Sequence, residues 1–402
     1  MNRNILSQRI QSLSESATLE MTRLSRELKA EGRDIITLSI GEPDFDTPLE
    51  VKEAAKEAID NNITHYSPVA GFKELREAIA HKLKRDNGLT FNASQVVVSN
   101  GAKQSLSNVL ISVLNPGDEV LIAAPYWVSY ADIVKIAEGN LVVLPTDIQH
   151  DFKLTAAQLE AAITDKTKVF LFNSPSNPTG TVYTYDEIVA LAVVFKKHPD
   201  ILIVSDEIYE HINFSGKHVS IASVDAVKEQ VVVVNGVSKA YAMTGWRIGY
   251  LAAPQFIADA CAKLQGQYTS GAGSISQMAA LTAVKNPPQE SEYLHSMVSA
   301  FKNRRDMLLD MLAEIPGIII NRPEGAFYVF PDISSYFGKS DGDSQIKNSY
   351  DFCMFLLYQA NVALVSGDAF GDPACVRISY ATSSDLIREA VNRMRTALEK
   401  LK

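Results

Sequence analysis

Short, almost uninterrupted apolar runs recur along the middle of the chain, at 96–99, 119–124, 141–144, 168–172, 201–205, 231–234 and 248–253. Runs of that length with little polar alternation read as strands covered on both faces. Between them the spacing changes to the helical period over 101–114 and from about Trp127. It does so again after two capping boxes, Thr155 with Gln158 and Thr184 with Glu187. Strands alternating with helices predict an α/β fold, a large domain whose mostly parallel sheet is flanked by helices.

The flanks follow a different pattern. Residues 18–31 set Leu19, Leu24 and Leu28 among charges as an amphipathic helix that Gly32 ends, and a strand is predicted over 35–40. The loop 41–48 then leads into a helix for which Thr47 is the predicted cap, with Pro48 in its first turn and Glu50 closing the box. A further helix carries Leu75, Ile79 and Leu83. Beyond Pro287 and Pro288 come a long helix, strands at 318–320 and 327–330, a helix near 348–359, strands at 362–365 and 376–379, and a helix from Ser383. These patterns predict a large domain over 48–290 and a smaller α+β domain over 291–402, to which the N-terminal segment 1–47 is added.

Composition narrows the function. A formal charge of -9 over 402 residues argues against nucleic acid, whose phosphates demand a basic footprint. Cys261, Cys353 and Cys375 are odd in number and widely spaced, which favours a reducing compartment over a disulfide framework and provides no metal site. With no apolar run of signal or membrane-spanning length, the expectation is a cytoplasmic protein without membrane contact.

Ligands of open α/β sheets gather at the carboxyl ends of strands, and several predicted strand exits carry special residues. After the valines at 231–234 the chain reaches Ser238 and Lys239, then Arg247 before the next strand. Semi-buried surroundings and a second cation disfavour the ammonium form of Lys239, and a neutral amine attacks carbonyls, so Lys239 is a candidate Schiff-base lysine. Gly101 and Ala102 open a helix whose free N–H groups suit a phosphate, with Ser238 and Arg247 available to complete the site. Asp206 follows an apolar strand and needs a cation, such as a protonated pyridine nitrogen. Trp127 offers a face for stacking, and Tyr209 and Asn177 are donors for a ring oxygen. Together these side chains describe one cofactor, pyridoxal 5′-phosphate.

The same residues, with the stretches 39–48, 124–130, 177–180, 204–209 and 377–381, resemble the class I aminotransferases of the fold-type I pyridoxal phosphate enzymes, in particular the bacterial aspartate aminotransferase branch. The resemblance implies that Lys239 binds the cofactor covalently and shuttles the proton, and that Asp206 keeps the ring nitrogen protonated. It further implies that Tyr66 reaches the phosphate of a neighbouring subunit, making a homodimer with shared sites. Arg377 would clamp the substrate α-carboxylate, helped by the Gly41 backbone, with Trp127 and Asn177 also facing substrate. Lys103, with Ser16 and Thr18, matches positions that meet a distal carboxylate, while Glu15 adds an anion nearby where many relatives have a lysine-proline pair. The implied reaction is ping-pong amino transfer from L-aspartate to 2-oxoglutarate. The alternatives are an aminotransferase of broader, aromatic or prephenate specificity and a pyridoxal-dependent lyase. No GxGxxG follows a strand to support dinucleotide binding.

Overall fold

A computed structural model describes residues 5–342 and 344–402. Seven strands, β1 (Val96–Ser99), β2 (Glu119–Ala124), β3 (Asn140–Pro145), β4 (Thr167–Asn173), β5 (Leu202–Asp206), β6 (Val231–Gly236) and β7 (Gly249–Ala252), form one sheet in the order β1-β7-β6-β5-β4-β2-β3. Only β7 runs antiparallel to its neighbours. Its connection from β6 contains no crossover helix, so the chain turns back beside the strand it has just left.

Successive side chains of the strands enter two different cores. Val231 and Val233 of β6, with Phe170 and Phe172 of β4, pack on one face, whereas Val232, Val234, Val169 and Leu171 pack on the other. That division is the physical reason for the unbroken apolar runs. One core is closed by Ala102–Val113, Ser129–Ile136 and Gln255–Tyr268, the other by Lys73–Lys82, Tyr185–Phe195 and Ser274–Lys285.

A second, three-stranded antiparallel sheet places Val376–Ser379 between Val365–Ser366 and Tyr328–Val329. Beside it Ile36–Thr37 pairs in parallel with Val362–Ala363, so the N-terminal segment is stitched to the C-terminal region. The long helix Glu292–Ala313 leads into this region. No helix among the described residues is long and apolar enough to cross a membrane.

Several expectations are corrected. Thr47 does not cap a helix: Leu49–Asp60 follows Pro48 without a side-chain cap. The Thr47 hydroxyl instead donates to the Ala242 carbonyl at 2.8 Å and accepts from Trp246 Nε1 at 3.1 Å, a tertiary use invisible to a local pattern. The run 362–365 is two strands because its halves pair with different partners. Residues 318–320 contribute only a bridge from Ile319 to Asp332, the strand over 35–40 shortens to Ile36–Thr37, and the helix expected from Trp127 starts at Ser129. Gln255–Tyr268 and Ser274–Lys285 were not anticipated.

The start of β7 presses on the start of the helix Ala102–Val113. A Cβ at Gly249 would fall far inside contact distance of the Ala102 backbone nitrogen. Gly249→Ala is therefore expected to cost about 1–3 kcal/mol through overpacking. Thermal unfolding of the cofactor-free variant checks this, with a fall in Tm of several degrees expected.

Candidate active site

The carboxyl ends of the sheet strands and the second sheet enclose a cavity of about 340 Å³. Its lining includes Gly41, Ala102, Lys103, Trp127, Asn177, Asp206, Tyr209, Ser238, Lys239, Arg247 and Arg377, together with Ser16 and Thr18. Gly101 lies directly beneath Arg247, since a Cβ there would strike the guanidinium. Tyr66 is the exception: it is 98% exposed and does not line the cavity of its own chain. Glu15 is exposed and outside the lining.

At one end lies an anion cradle. Gly101, at φ +85, precedes the first turn of Ala102–Val113, and its missing side chain keeps the helix N-terminus open. Arg247, itself at φ +56, donates from Nη1 to the Thr244 carbonyl at 2.9 Å and from Nη2 to the Asn100 carbonyl at 3.3 Å. Neither partner is an acid, so its charge is uncompensated by the protein.

Asp206 ends β5 in register with Asn173 of β4, whose amide donates to the Asp206 carbonyl at 2.8 Å. The buried carboxylate accepts from Tyr130 Oη at 2.8 Å and from the Ile208 N–H at 3.2 Å. Burial pushes its pKa up to about 6 against the opposing effect of these two hydrogen bonds. Trp127 stands edge-on to Tyr130, ring centroids 5.3 Å apart. Tyr209 is buried, and its hydroxyl shares a 2.7 Å hydrogen bond with that of Tyr328.

Lys239 Nζ donates to the Gly41 carbonyl at 2.6 Å. Burial brings its pKa down to about 8; Glu42 opposes the shift, and Arg377 and Arg247 assist it. Neighbouring cations are thus a lesser influence on Lys239 than burial, with Arg377 ahead of Arg247.

Arg377 occupies the central strand of the small sheet and is 2% exposed. Nη1 donates to Asn177 Oδ1 at 3.0 Å, Nη2 donates to the Ser39 carbonyl at 2.6 Å, and the buried Nε has no partner. The guanidinium lies 4.6 Å from the Tyr328 ring and 4.9 Å from the Phe370 ring. Lys103 Nζ sits 4.9 Å over the Trp127 ring, its proton affinity lowered by burial and then by Arg247. None of Lys103, Lys239, Arg247 and Arg377 forms an ion pair among the described residues, and the only acid in the lining is Asp206. Such a cavity attracts anions.

Sequence reasoning assigned no role to Tyr130, Asn173 or Tyr328, all of which line the cavity. Tyr328 was hidden because a tyrosine in an apolar strand reads as core, and Tyr130 because it sits within a helical pattern. Behind the cavity Glu207, Glu210 and His218 come close enough to suggest a metal. The carboxylate oxygens are instead occupied, those of Glu210 by Lys82 and Asn87, and those of Glu207 by the hydroxyls of Ser205 and Ser220 and by His218 Nε2.

Comparison with known proteins places this geometry. A sequence profile of the family described as aminotransferase class I and II matches residues 33–394. The chain is 47% identical over 399 residues to the bifunctional aspartate aminotransferase and glutamate/aspartate-prephenate aminotransferase of Petunia hybrida, covering 99% of this chain and 83% of the petunia protein. It is 45% identical to the aspartate aminotransferase of Bacillus subtilis, covering 98% and 99%. The crystal structure of the aspartate aminotransferase from Rhizobium meliloti superposes with a TM-score of 0.95 at 42% identity, covering 99% of both chains.

Proposed function

The chain belongs to the class I and II aminotransferases and is an enzyme of amino-group transfer, and from that premise we propose that the cavity binds pyridoxal 5′-phosphate and moves an amino group from L-aspartate to 2-oxoglutarate. The residues fit that cofactor. A cradle that a Cβ at Gly101 would fill faces an arginine without an acid, and a buried carboxylate lacks a cation. Gly101, Ala102, Ser238 and Arg247 would hold the phosphate, Asp206 the ring nitrogen, Tyr209 and Asn177 the ring oxygen, Trp127 the ring face, and Lys239 the aldehyde carbon. When bound, the cofactor supplies an electron sink for the bonds at the substrate Cα.

The chain's own residues supply position and proton. Arg377 carries the reading: a fully buried guanidinium without a counter-charge is costly unless a ligand provides one, and an α-carboxylate matches its fork. Asn177 and the Ser39 carbonyl fix the plane of that fork. Lys239 Nζ, close enough to neutrality near pH 8 to take a proton, acts as the base and returns the proton as the acid. Lys103 is a further unpaired cation on the same cavity and suits the distal carboxylate of a dicarboxylic amino acid.

Ping-pong exchange predicts that the visible absorption band of the loaded enzyme disappears on adding L-aspartate alone and returns with 2-oxoglutarate. A band indifferent to L-aspartate sinks the assignment. Prephenate is the second reading, favoured by the apolar Leu19, Leu106 and Trp127 that line the cavity with Lys103 and by the activity named for the petunia relative. Recovery of the band with prephenate as acceptor tests it.

The pH dependence of loading follows from two groups. Asp206 must be ionised to pair with a ring N–H, and Lys239 must be neutral to attack. One is protonated below about 6 and the other above about 8 loses its proton. Cofactor affinity is expected to rise from pH 5 to about 8 and then level, as equilibrium dialysis across that range would measure.

The exposure of Tyr66 supports its reaching the phosphate of a second copy, in a homodimer with shared sites. We also read residues 48–290 as one domain, and 1–47 with 291–402 as the smaller one that closes over substrate. The cytoplasm is the compartment in keeping with three buried free thiols.

A further inference from the structure

Between the N-terminal strand and the helix Leu49–Asp60, the segment 39–47 is fastened by a row of contacts. The Ser39 carbonyl accepts from Arg377, the Gly41 carbonyl accepts from Lys239 Nζ, and Thr47 bonds Ala242 and Trp246. Asp44 takes both terminal nitrogens of Arg304, at 2.7 and 2.9 Å. In the middle of this row Glu42, an exposed carboxylate, accepts a hydrogen bond from the Thr244 hydroxyl. Thr244 lines the cavity, and its carbonyl accepts from Arg247.

Glu42 therefore joins the residue next to the reacting amine's acceptor, Gly41, to the loop that carries Lys239 and Arg247. No part of the amino-transfer reading uses it. We propose that Glu42 is a positioning residue for Lys239: by clasping the Thr244 hydroxyl it holds the Gly41 carbonyl on the amine, so that Nζ is restrained while segment 39–47 is docked and released when the segment lifts. The charge works in the same sense. Glu42 is the foremost group favouring the ammonium form of Lys239, joined by Asp206 and opposed by Arg377 and Arg247. Removing the Glu42 charge alone favours the neutral amine, whereas lifting the segment as a whole frees Nζ of its acceptor. Exposure and solvent screening keep the charge effect modest.

The inference rests on Lys239 being the reacting amine, and the test separates the two. The full chain, freed of cofactor, is treated with formaldehyde and cyanoborohydride. The amine adds to the aldehyde carbon, water leaves, and hydride from the borane reduces the C=N bond to an N-methyl group. Mass spectrometry of the peptide bearing Lys239 follows the rate against pH. The wild-type midpoint is expected at about 8. Glu42→Gln keeps an acceptor for Thr244 but loses the charge, so its midpoint should fall by about half a unit, making methylation at pH 7 about two- to threefold faster with an unchanged plateau at high pH. Glu42→Ala and Thr244→Val lose the clasp and should raise that plateau, and Thr244→Ser should restore it. Wild-type behaviour of Glu42→Ala overturns the inference, and so does a midpoint shift in Glu42→Ala without a faster plateau, which would leave Glu42 acting by charge alone. Prior loading with pyridoxal 5′-phosphate should protect Lys239, and failure to protect would count against the cofactor assignment while leaving the clasp measurable.

Discussion

Lys239→Ala is expected to lower the turnover of amino transfer by a factor of about 10⁴, the upper range for removal of a general acid–base group, with further loss from the missing nucleophile. The position leaves little room for substitution by a neighbour. Lys103, the other amine of the cavity, stands over Trp127, whereas Lys239 Nζ lies against the Gly41 carbonyl. Burial has already moved Lys239 towards neutrality, to about 8. The variant should still bind the cofactor without a covalent bond, through Arg247, Ser238 and Asp206. Borohydride treatment followed by mass measurement distinguishes the cases: the wild type retains the added mass and Lys239→Ala does not. Retention in the variant would move the covalent attachment to another lysine.

Arg377→Lys is expected to reduce kcat/KM for L-aspartate by a factor of about 10² to 10³, corresponding to about 3–4 kcal/mol for one side of a buried charge pair. Lysine keeps the charge, so the loss isolates geometry. An ammonium cannot hold the Asn177 oxygen and the Ser39 carbonyl while presenting two parallel donors to a carboxylate. It also gives up the planar contact with the rings of Tyr328 and Phe370. Cofactor affinity should change much less than kcat/KM, because Arg377 touches none of the Gly101–Arg247 cradle and meets the proposed cofactor-holding residues through Asn177. Steady-state kinetics alongside cofactor titration check both halves of the expectation, and a variant with near wild-type kcat/KM would assign the α-carboxylate to another cation.

What the chain disclosed beforehand follows from where its polar residues stand. A charged or polar group placed at the exit of an apolar run, such as Asp206 directly after 201–205 or Lys239 in the turn that follows 231–234, is conspicuous against its surroundings. Most of the strands were legible because both faces are covered, so their boundaries lie within one or two residues of the limits of apolar sequence; the edge strand β3 is the exception, with Val143 exposed. Residues whose role depends on a distant partner were not legible. Tyr328 acquires its importance only by meeting Tyr209 and Arg377, and Thr47 resembles a helix cap until Ala242 and Trp246 are brought to it. Gln255–Tyr268 and Ser274–Lys285 escaped for another reason: the amides Gln265 and Gln277 stand on their buried faces, and in Ser274–Lys285 alanine supplies three of the six buried positions, so the faces are only weakly marked.

The alternation of β6 between two cores has a consequence for how this chain can change in length. Deleting one residue between Val231 and Val234 would exchange the valines of the two cores and draw Ser238 and Lys239 back by about 3.3 Å while turning them to the opposite face. The spacing from Val231 to Lys239 is thus under as strict a constraint as the lysine itself. Insertions and deletions can be absorbed only in exposed connections, such as the turn around Gly216, where a side chain meets nothing.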